Sequence, residues 1–236
     1  MKQIAFVTGA NKGIGFEIAK QLGEIGWTVL LGARSVERGE AAVSELKARG
    51  LDVIFVQIDM TDLESIEKSV ETIKENYPDL TLLINNAGMP GKFSPSFSET
   101  KEEDLRNAFE VNFFGTFRLN QLLFPLIKKN AGTIVNVSTD MASLHHMQNF
   151  AFAPNAFDYN SSKTANNAMT VSMALELKDS KAQVFAVTPG FTTTDLNGNA
   201  KGGKSKDAGA AIIVDYATDG KRHNGEFLDE NGVMAW

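Results

Sequence analysis

The chain of 236 residues alternates between two kinds of segment. Short apolar runs rich in β-branched residues predict strands over residues 4–8, 28–32, 53–58, 80–85, 133–138 and 183–188. Between them, apolar residues spaced three and four apart predict helices over residues 15–25, 37–49, 63–76, 102–129 and 159–178. Several of these strands are apolar throughout, as a sheet covered on both faces requires. The alternation predicts an α/β protein with one mostly parallel, doubly wound sheet.

Composition narrows the class of protein. A net charge of −6, from 29 acidic and 23 basic residues, argues against nucleic-acid binding, which needs a basic face. The absence of cysteine excludes disulfides and thiolate chemistry and fits a reducing cytosol. No apolar run is long enough to span a bilayer, and the N-terminus has no signal-peptide layout. We therefore expect one cytoplasmic domain over residues 1–236 that binds dinucleotide and small-molecule substrate, with no nucleic-acid or membrane partner.

Two long irregular stretches, residues 139–158 and 192–206, follow the carboxyl ends of predicted strands. Ligands bind at these ends in open α/β sheets, so both stretches are expected to border a substrate site. The lysines in the second stretch are more typical of a solvated, mobile lid than of an anion site. His145 and His146 do not predict a metal site, because they have no carboxylate or cysteine partner nearby in sequence.

The stretch "TGANKGIG" joins the first predicted strand to the first predicted helix. Gly9, Gly13 and Gly15 would permit a tight turn and the close approach of a phosphate, and the helix N-terminus would offer free N–H groups. The spacing differs from the G-x-G-x-x-G fingerprint of dinucleotide-binding proteins. The glycines alone therefore leave a phosphate loop and a plain turn equally open.

The end of the second strand bears on the cofactor. Arg34 stands where an NAD-binding fold would place Asp or Glu, and an arginine suits the 2′-phosphate of NADP. Lys12 could supply a second positive charge, although both residues could also be solvated surface cations. Together, and with the acidic residue missing, they favour NADP over NAD. Asp59 could accept from the adenine amino group or belong to a turn or helix cap.

A candidate catalytic set lies further along the chain. Tyr159 and Lys163, in "YNSSK", share one helix face, and the ammonium is expected to lower the tyrosine pKa so that the phenol can exchange a proton. Ser138 could bond a substrate oxygen or cap a turn. Asn112 could hold the backbone and a water beside Lys163 or be a packing residue. "NNAG", at residues 85–88, allows close backbone approach or is a simple turn.

These motifs, together with "TPG" at residues 188–190, resemble the short-chain dehydrogenase/reductase family in order and spacing over residues 2 to about 195. The segments "NKGIG", "GARSVERG" and "PGFTTTDL" are most similar to its carbonyl-reductase branch, which uses NADPH. The resemblance implies a Rossmann-type fold with a seven-stranded parallel sheet whose last strand lies near residues 225–228. It also implies reversible hydride transfer between a nicotinamide and a carbonyl or alcohol carbon.

The resemblance assigns roles by position. Tyr159 would be the acid/base, Ser138 would orient and polarise the substrate oxygen, Lys163 would bind the nicotinamide ribose and tune Tyr159, and Asn112 would support the proton relay. The implied cofactor residues are Gly9, Asn11, Lys12, Gly13, Ile14, Gly15, Arg34, Asp59, Met60, Asn86, Ala87, Gly88, Tyr159, Lys163, Pro189, Gly190, Thr192 and Thr194.

The stretch between Ser138 and Tyr159 is longer than is usual for the family, and we expect it to wall or cover the substrate pocket. Its aromatic residues, Phe150, Phe152 and Phe157, suggest an apolar or aromatic substrate or belong to the core.

Three functions remain open from the sequence. The first is an NADPH-dependent reductase of aldehydes or ketones, and the second is an NAD-linked alcohol dehydrogenase, against which Arg34 and Lys12 argue. The third is a non-catalytic NADP-binding sensor, which would have no need of the proton donor Tyr159. A homo-oligomer, either a dimer or a tetramer, is a further expectation.

Overall fold

The computed structural model describes residues 3–92, 96–149 and 156–236. Within these residues, eight strands form one sheet in the order β3-β2-β1-β4-β5-β6-β7-β8, and every neighbouring pair is parallel except β7 and β8. The strands are β1 (Ile4–Val7), β2 (Thr28–Ala33), β3 (Val53–Gln57), β4 (Leu82–Asn85), β5 (Thr133–Val137), β6 (Gln183–Val187), β7 (Phe227–Asp229) and β8 (Gly232–Val233).

Helices connect the strands. They are α1 (Gly13–Glu24), α2 (Val36–Ala48), α3 (Leu63–Asn76), α4 (Glu102–Phe109), α5 (Thr116–Lys129), α6 (Leu144–Gln148), α7 (Phe157–Glu176) and α8 (Lys206–Thr218). A π-helical turn, Glu110–Gly115, joins α4 to α5. No helix among the described residues is both long and apolar enough to cross a membrane.

The predicted α/β class and doubly wound sheet are confirmed, and the six predicted strands lie within two residues of their predicted bounds. Four details differ. The sheet has an eighth, antiparallel strand, which has only two residues and therefore no pattern to read. The helix predicted over residues 102–129 contains the π-helical turn, and α6 occupies part of the stretch that was predicted to be irregular. Helix α8, in which residues 208–214 are all small or apolar, was not predicted.

Both faces of the sheet are covered, because alternate strand residues point to opposite sides. Val7 packs into a core shared with α1, α2 and α8, whereas its neighbour Phe6 packs into a core shared with α3, α5 and α7. The order of the strands reverses between β1 and β4, and the crevice at such a switch point is where ligands bind in this kind of sheet. The glycine loop and the "NNAG" segment both follow strands at this point.

Candidate active site

The glycine loop between β1 and α1 has the shape of a phosphate cradle. Gly9 has φ +64°, and a Cβ there would lie 2.8 Å from the Cα of Ala87; a Cβ on Gly15 would collide with the side chain of Asn86. Above Gly13, by contrast, no heavy atom lies within 4 Å of where a Cβ would stand. Helix α1 begins at Gly13 without a side-chain cap, so its first N–H groups have no side-chain acceptor at the positive end of the helix dipole.

Thr8, which the sequence reasoning missed, joins the two loops at the switch point. Its Oγ1 accepts from the backbone N–H groups of Asn86 (3.1 Å) and Ala87 (3.0 Å). In return, Asn86 Nδ2 donates to the backbone oxygens of Thr8 (2.9 Å) and Gly9 (3.2 Å). The glycine loop and "NNAG" are therefore one rigid unit. The only signal in the sequence was a threonine directly before the first glycine.

The two cations expected to read a 2′-phosphate lie at the surface, each near a carboxylate. The Arg34 side chain is 68% exposed, and its Nε lies 3.8 Å from Asp59 Oδ2. Lys12 Nζ lies 3.2 Å from Asp195 Oδ2 and holds the pKa of Asp195 below its usual value. Exposed ion pairs of this kind contribute little to stability, so either cation can exchange its partner for an anion at small cost.

Asp59 has a clear local role. Its Oδ1 accepts from Thr61 N (3.0 Å) and Thr61 Oγ1 (2.8 Å), and Asp62 rather than Asp59 caps α3. The sequence left open whether Asp59 contacts an adenine or belongs to a turn or helix cap. The structure shows that Asp59 stabilises a turn and does not cap the helix. The contact of Asp59 and Met60 with an adenine stays a prediction.

Ser138 and Lys163 meet at the end of β5. The backbone N–H of Ser138 donates to Val187 O at 2.8 Å and fixes the residue against β6. Lys163 reaches back from α7, and its Nζ donates to Val137 O at 2.9 Å. Both side chains are buried, with 5% and 4% exposure respectively. The structure thus places the predicted lysine beside the predicted serine at the carboxyl edge of the sheet.

Asn112 lies in the π-helical turn, a local distortion that is frequent at functional sites. Its Oδ1 accepts from Met89 N (2.9 Å), and its Nδ2 donates to Met89 O (3.2 Å) and Ser162 Oγ (3.0 Å). A Cβ on Gly88 would lie 3.2 Å from Asn112 Oδ1 and 3.6 Å from Lys163 Nζ. Asn112 therefore braces the segment after β4 and stands close to the lysine, as expected.

The pKa of Tyr159 differs from the expectation. Burial, and secondarily the negative charge of Asp140, raises the pKa of Tyr159 to about 12. Burial also lowers the pKa of Lys163 from its ordinary value of 10.5 to about 8. Both shifts have the same physical cause, because removal from water disfavours the charged form of either group. The predicted lowering of the tyrosine pKa was therefore wrong for the chain alone, and Tyr159 is a protonated phenol at neutral pH.

Two carboxylates near Tyr159 were also missed. Asp140, in a short 3₁₀ turn after β5, accepts from Thr188 Oγ1 at 3.0 Å. Asp158 is buried; its Oδ1 accepts from the backbone N–H of Tyr159 and its Oδ2 from that of Lys92, both at 2.8 Å. Asp158 thereby ties the start of α7 to the segment after "NNAG". Sequence position could have identified both residues: Asp140 lies two residues after Ser138, and Asp158 directly precedes Tyr159.

The stretch 192–206 is more ordered than the predicted loop. Lys204 N donates to Phe191 O (2.9 Å), Thr193 N donates to Lys204 O (3.0 Å), and Thr194 begins a 3₁₀ turn. Lys204 is paired with Glu230 at 2.7 Å and is not a solvated cation. Gly190 N donates to Thr188 Oγ1 at 3.1 Å, which fixes the predicted nicotinamide segment.

The lid role of the stretch between Ser138 and Tyr159 stays a prediction. Phe150 and Phe152 lie outside the described residues, whereas Phe157 packs edge-on against Phe97 with ring centroids 5.1 Å apart. No group of three or more His, Cys, Asp or Glu side chains that could hold a metal occurs in the described ranges.

Known proteins with similar sequences identify the family of this chain. A model of the short-chain dehydrogenase family matches residues 3–204. Short-chain dehydrogenase anuI of Penicillium roqueforti is 32% identical over 99% of this chain and 96% of its own length. Carbonyl reductase [NADPH] 1 of Bos taurus is 31% identical over 99% of this chain and 98% of its own length.

A solved structure shares the fold. It is that of an alcohol dehydrogenase from the archaeon Thermococcus sibiricus in complex with 5-hydroxy-NADP. It superposes with a TM-score of 0.83 at 26% identity, over 97% of this chain and 96% of that one. The family match covers most of the chain and contains the glycine loop, Ser138, Tyr159 and Lys163. The chain therefore belongs to the short-chain dehydrogenase family.

Proposed function

We propose that this oxidoreductase is an NADPH-dependent reductase of aldehydes or ketones. The observation that carries the proposal is Tyr159, a phenol that the fold keeps protonated, on the same helix as the buried cation Lys163. A reductase needs a proton donor for the oxygen that becomes an alcohol, and a protonated phenol meets that need.

The residues of this chain fit the cofactor. The space above Gly13 and the uncapped start of α1 suit a pyrophosphate, and Arg34 and Lys12 suit a 2′-phosphate. When bound, NADPH supplies the hydride. NADPH is also named for the bovine carbonyl reductase, which supports the same choice here.

The catalytic side chains then have distinct tasks. Tyr159 donates its O–H to the carbonyl oxygen, and Ser138 donates a second hydrogen bond to the same oxygen, which increases the polarity of the carbonyl group. Lys163 holds a positive charge that stabilises the phenolate left after proton transfer. Asn112 keeps the segment after β4 in register with Lys163 through its bonds to Met89.

The reverse activity, oxidation of an alcohol, is the second candidate, and a structurally similar protein is an alcohol dehydrogenase. Alcohol oxidation needs Tyr159 as a phenolate, which a pKa of about 12 makes rare at neutral pH. We propose reduction first because Arg34 and Lys12 suit the 2′-phosphate of NADPH. A non-catalytic sensor is disfavoured, because a sensor would have no need of the proton donor Tyr159.

The test is cofactor oxidation by the purified protein with a panel of aldehydes and ketones, run separately with NADPH and NADH. We expect turnover with NADPH and a preference for it over NADH in kcat/KM. Tight NADPH binding without turnover of any carbonyl compound would favour the sensor instead.

Replacement of Arg34 by alanine should reduce the preference for NADPH over NADH roughly tenfold, because a charge-assisted bond to the 2′-phosphate contributes about 1.5–3 kcal/mol before the exposure of this side chain is taken into account. The measurement is kcat/KM for each cofactor. Arg49→Ala, at the far end of α2, is the matched control and should leave the preference unchanged. An unchanged preference in Arg34→Ala would remove this residue from the 2′-phosphate site.

Replacement of Asp140 by asparagine should lower the pKa of Tyr159, because a negative charge that disfavours the phenolate is removed. Reduction requires the protonated phenol, so the loss of kcat/KM at alkaline pH should begin at a lower pH in the variant. Asp207→Asn, on the exposed start of α8, should not move this limb of the profile. A shift to higher pH would contradict the electrostatic role of Asp140.

Three expectations stay predictions. One domain serves both cofactor and substrate, the protein is cytoplasmic, and it forms a homo-oligomer.

An apolar groove of about 670 Å³ between α5 and α7 offers a surface for a second copy of the chain, and Phe113, Phe117 and Phe124 line it.

A further inference from the structure

One turn beyond Lys163, helix α7 carries two consecutive buried asparagines. Asn166 Nδ2 donates to the backbone oxygen of Asn112 at 3.1 Å. Asn167, which is 4% exposed, lies against Ser138: Asn167 Oδ1 and Ser138 Oγ are 2.7 Å apart. Two residues to which the motifs assign no role therefore touch two members of the catalytic set.

Asn167 is costly at this position. Its Nδ2 is buried and has no hydrogen-bond partner among the described residues. A buried amide that is not fully satisfied costs free energy, and a leucine, which has the same number of side-chain heavy atoms, would avoid that cost. Buried polar groups left in this condition call for an explanation.

The chemistry of the contact depends on a single proton. A serine hydroxyl has one hydrogen to donate. When Ser138 donates to Asn167 Oδ1, that hydrogen is not available to a substrate oxygen. When the amide is turned over, Nδ2 donates to Ser138 Oγ and the hydroxyl hydrogen is free. A separation of 2.7 Å suits a hydrogen bond in either orientation.

No hydrogen bond to another described residue holds Asn167 Nδ2 in place. Because Nδ2 has no partner among the described residues, rotation about the last side-chain bond breaks no other bond of that group. The backbone of Ser138 is meanwhile fixed by its bond to Val187. Asn167 Oδ1 is thus the hydrogen-bond partner of Ser138 Oγ in this structure.

We propose that Asn167 is a positioning residue that holds Ser138 Oγ and, by turning its amide, directs the Ser138 hydrogen toward the carbonyl oxygen of the substrate. This inference rests on the proposed carbonyl reduction. The hydrogen bond from Nδ2 also polarises the hydroxyl, which makes Ser138 a better donor to the oxygen as negative charge develops on it.

The test is a double-mutant cycle on kcat for the best carbonyl substrate, with Asn167→Leu and Ser138→Ala made singly and together. We expect Asn167→Leu to lower kcat roughly tenfold while the Kd for NADPH changes less than twofold. In the Ser138→Ala background, Asn167→Leu should cause no further loss. Asn167→Asp, which keeps the shape but can only accept, should lose at least as much as Asn167→Leu.

Thr170→Val is the matched control, since Thr170 is buried on the same helix and bonds Asn136 rather than the catalytic set. It should leave kcat unchanged even if it lowers the melting temperature as much as Asn167→Leu does. An equal loss from Asn167→Leu with and without Ser138, or no loss at all, overturns the inference. Equal rates of the wild type and Ser138→Ala would also overturn this inference, whereas the absence of carbonyl turnover by the wild type would overturn the proposed function.

Discussion

Replacement of Tyr159 by phenylalanine is expected to lower kcat for carbonyl reduction by a factor of about a thousand, the middle of the range for loss of a general acid. The phenol is the group that the fold keeps protonated, because burial and Asp140 together raise its pKa to about 12. The phenylalanine ring fills the same space but has no proton to donate. The measurement is the initial rate of NADPH oxidation at saturating substrate.

The control is Tyr216→Phe, which removes a hydroxyl that donates to Asp229 O at 2.9 Å on the far side of the sheet. It should leave kcat unchanged. The Kd for NADPH of Tyr159→Phe, measured by cofactor fluorescence, should stay within a few-fold of the wild type. Retention of most of the activity by Tyr159→Phe would show that the proton comes from elsewhere.

Replacement of Lys163 by methionine should abolish turnover and, unusually, stabilise the fold. Burial lowers the pKa of Lys163 from 10.5 to about 8, which corresponds to about 3 kcal/mol of cost for the buried charge at neutral pH. Methionine avoids this cost but loses the bond to Val137 O, worth about 1 kcal/mol. We therefore expect the free energy of unfolding at pH 7, without cofactor, to rise by about 2 kcal/mol.

The pH dependence gives a second check on Lys163. The folded pKa lies below the ordinary value, so the unfolded chain binds more protons between pH 8 and 10.5 and this lysine makes stability rise with pH there. Tyr159 acts in the opposite sense only above pH 10. The gap in stability between Lys163→Met and the wild type should therefore narrow from pH 8 to pH 10. The matched control is Lys128→Met, which removes an exposed lysine and should not show this dependence on pH. A Lys163→Met variant less stable than the wild type at pH 7 would contradict this account.

The sheet and the order of its elements could be predicted because the signal is local. Runs such as residues 28–32 are apolar throughout, and each lies between segments of helical spacing. The glycine loop could be predicted for the same reason. Helix α8 could not, because residues 208–214 are all small or apolar, so no alternation with polar residues marks the face that Ile213 and Val214 bury in the core beside α1.

The parts of the site that could not be predicted depend on contacts between distant segments. The pKa of Tyr159 depends first on its burial and then on Asp140, which a turn after β5 brings near the phenol. The bond between Ser138 and Asn167 crosses from a strand to a helix 29 positions away. The π-helical turn at Asn112 has no sequence pattern that separates it from the flanking α-helices. The residue types indicated the chemistry of the site. The pKa shifts of Tyr159 and Lys163 could not be predicted, because they depend on how deeply the fold buries these side chains.

The central claim is that this chain moves a hydride from NADPH to a carbonyl carbon while Tyr159 supplies the proton. The most direct measurement uses NADPH with two deuterium atoms at C4 of the nicotinamide, and mass spectrometry of the alcohol product. We predict one deuterium on the carbinol carbon in the wild-type product and almost no product from Tyr159→Phe under the same conditions. An alcohol without deuterium, or labelled alcohol formed equally fast by Tyr159→Phe, would contradict the account.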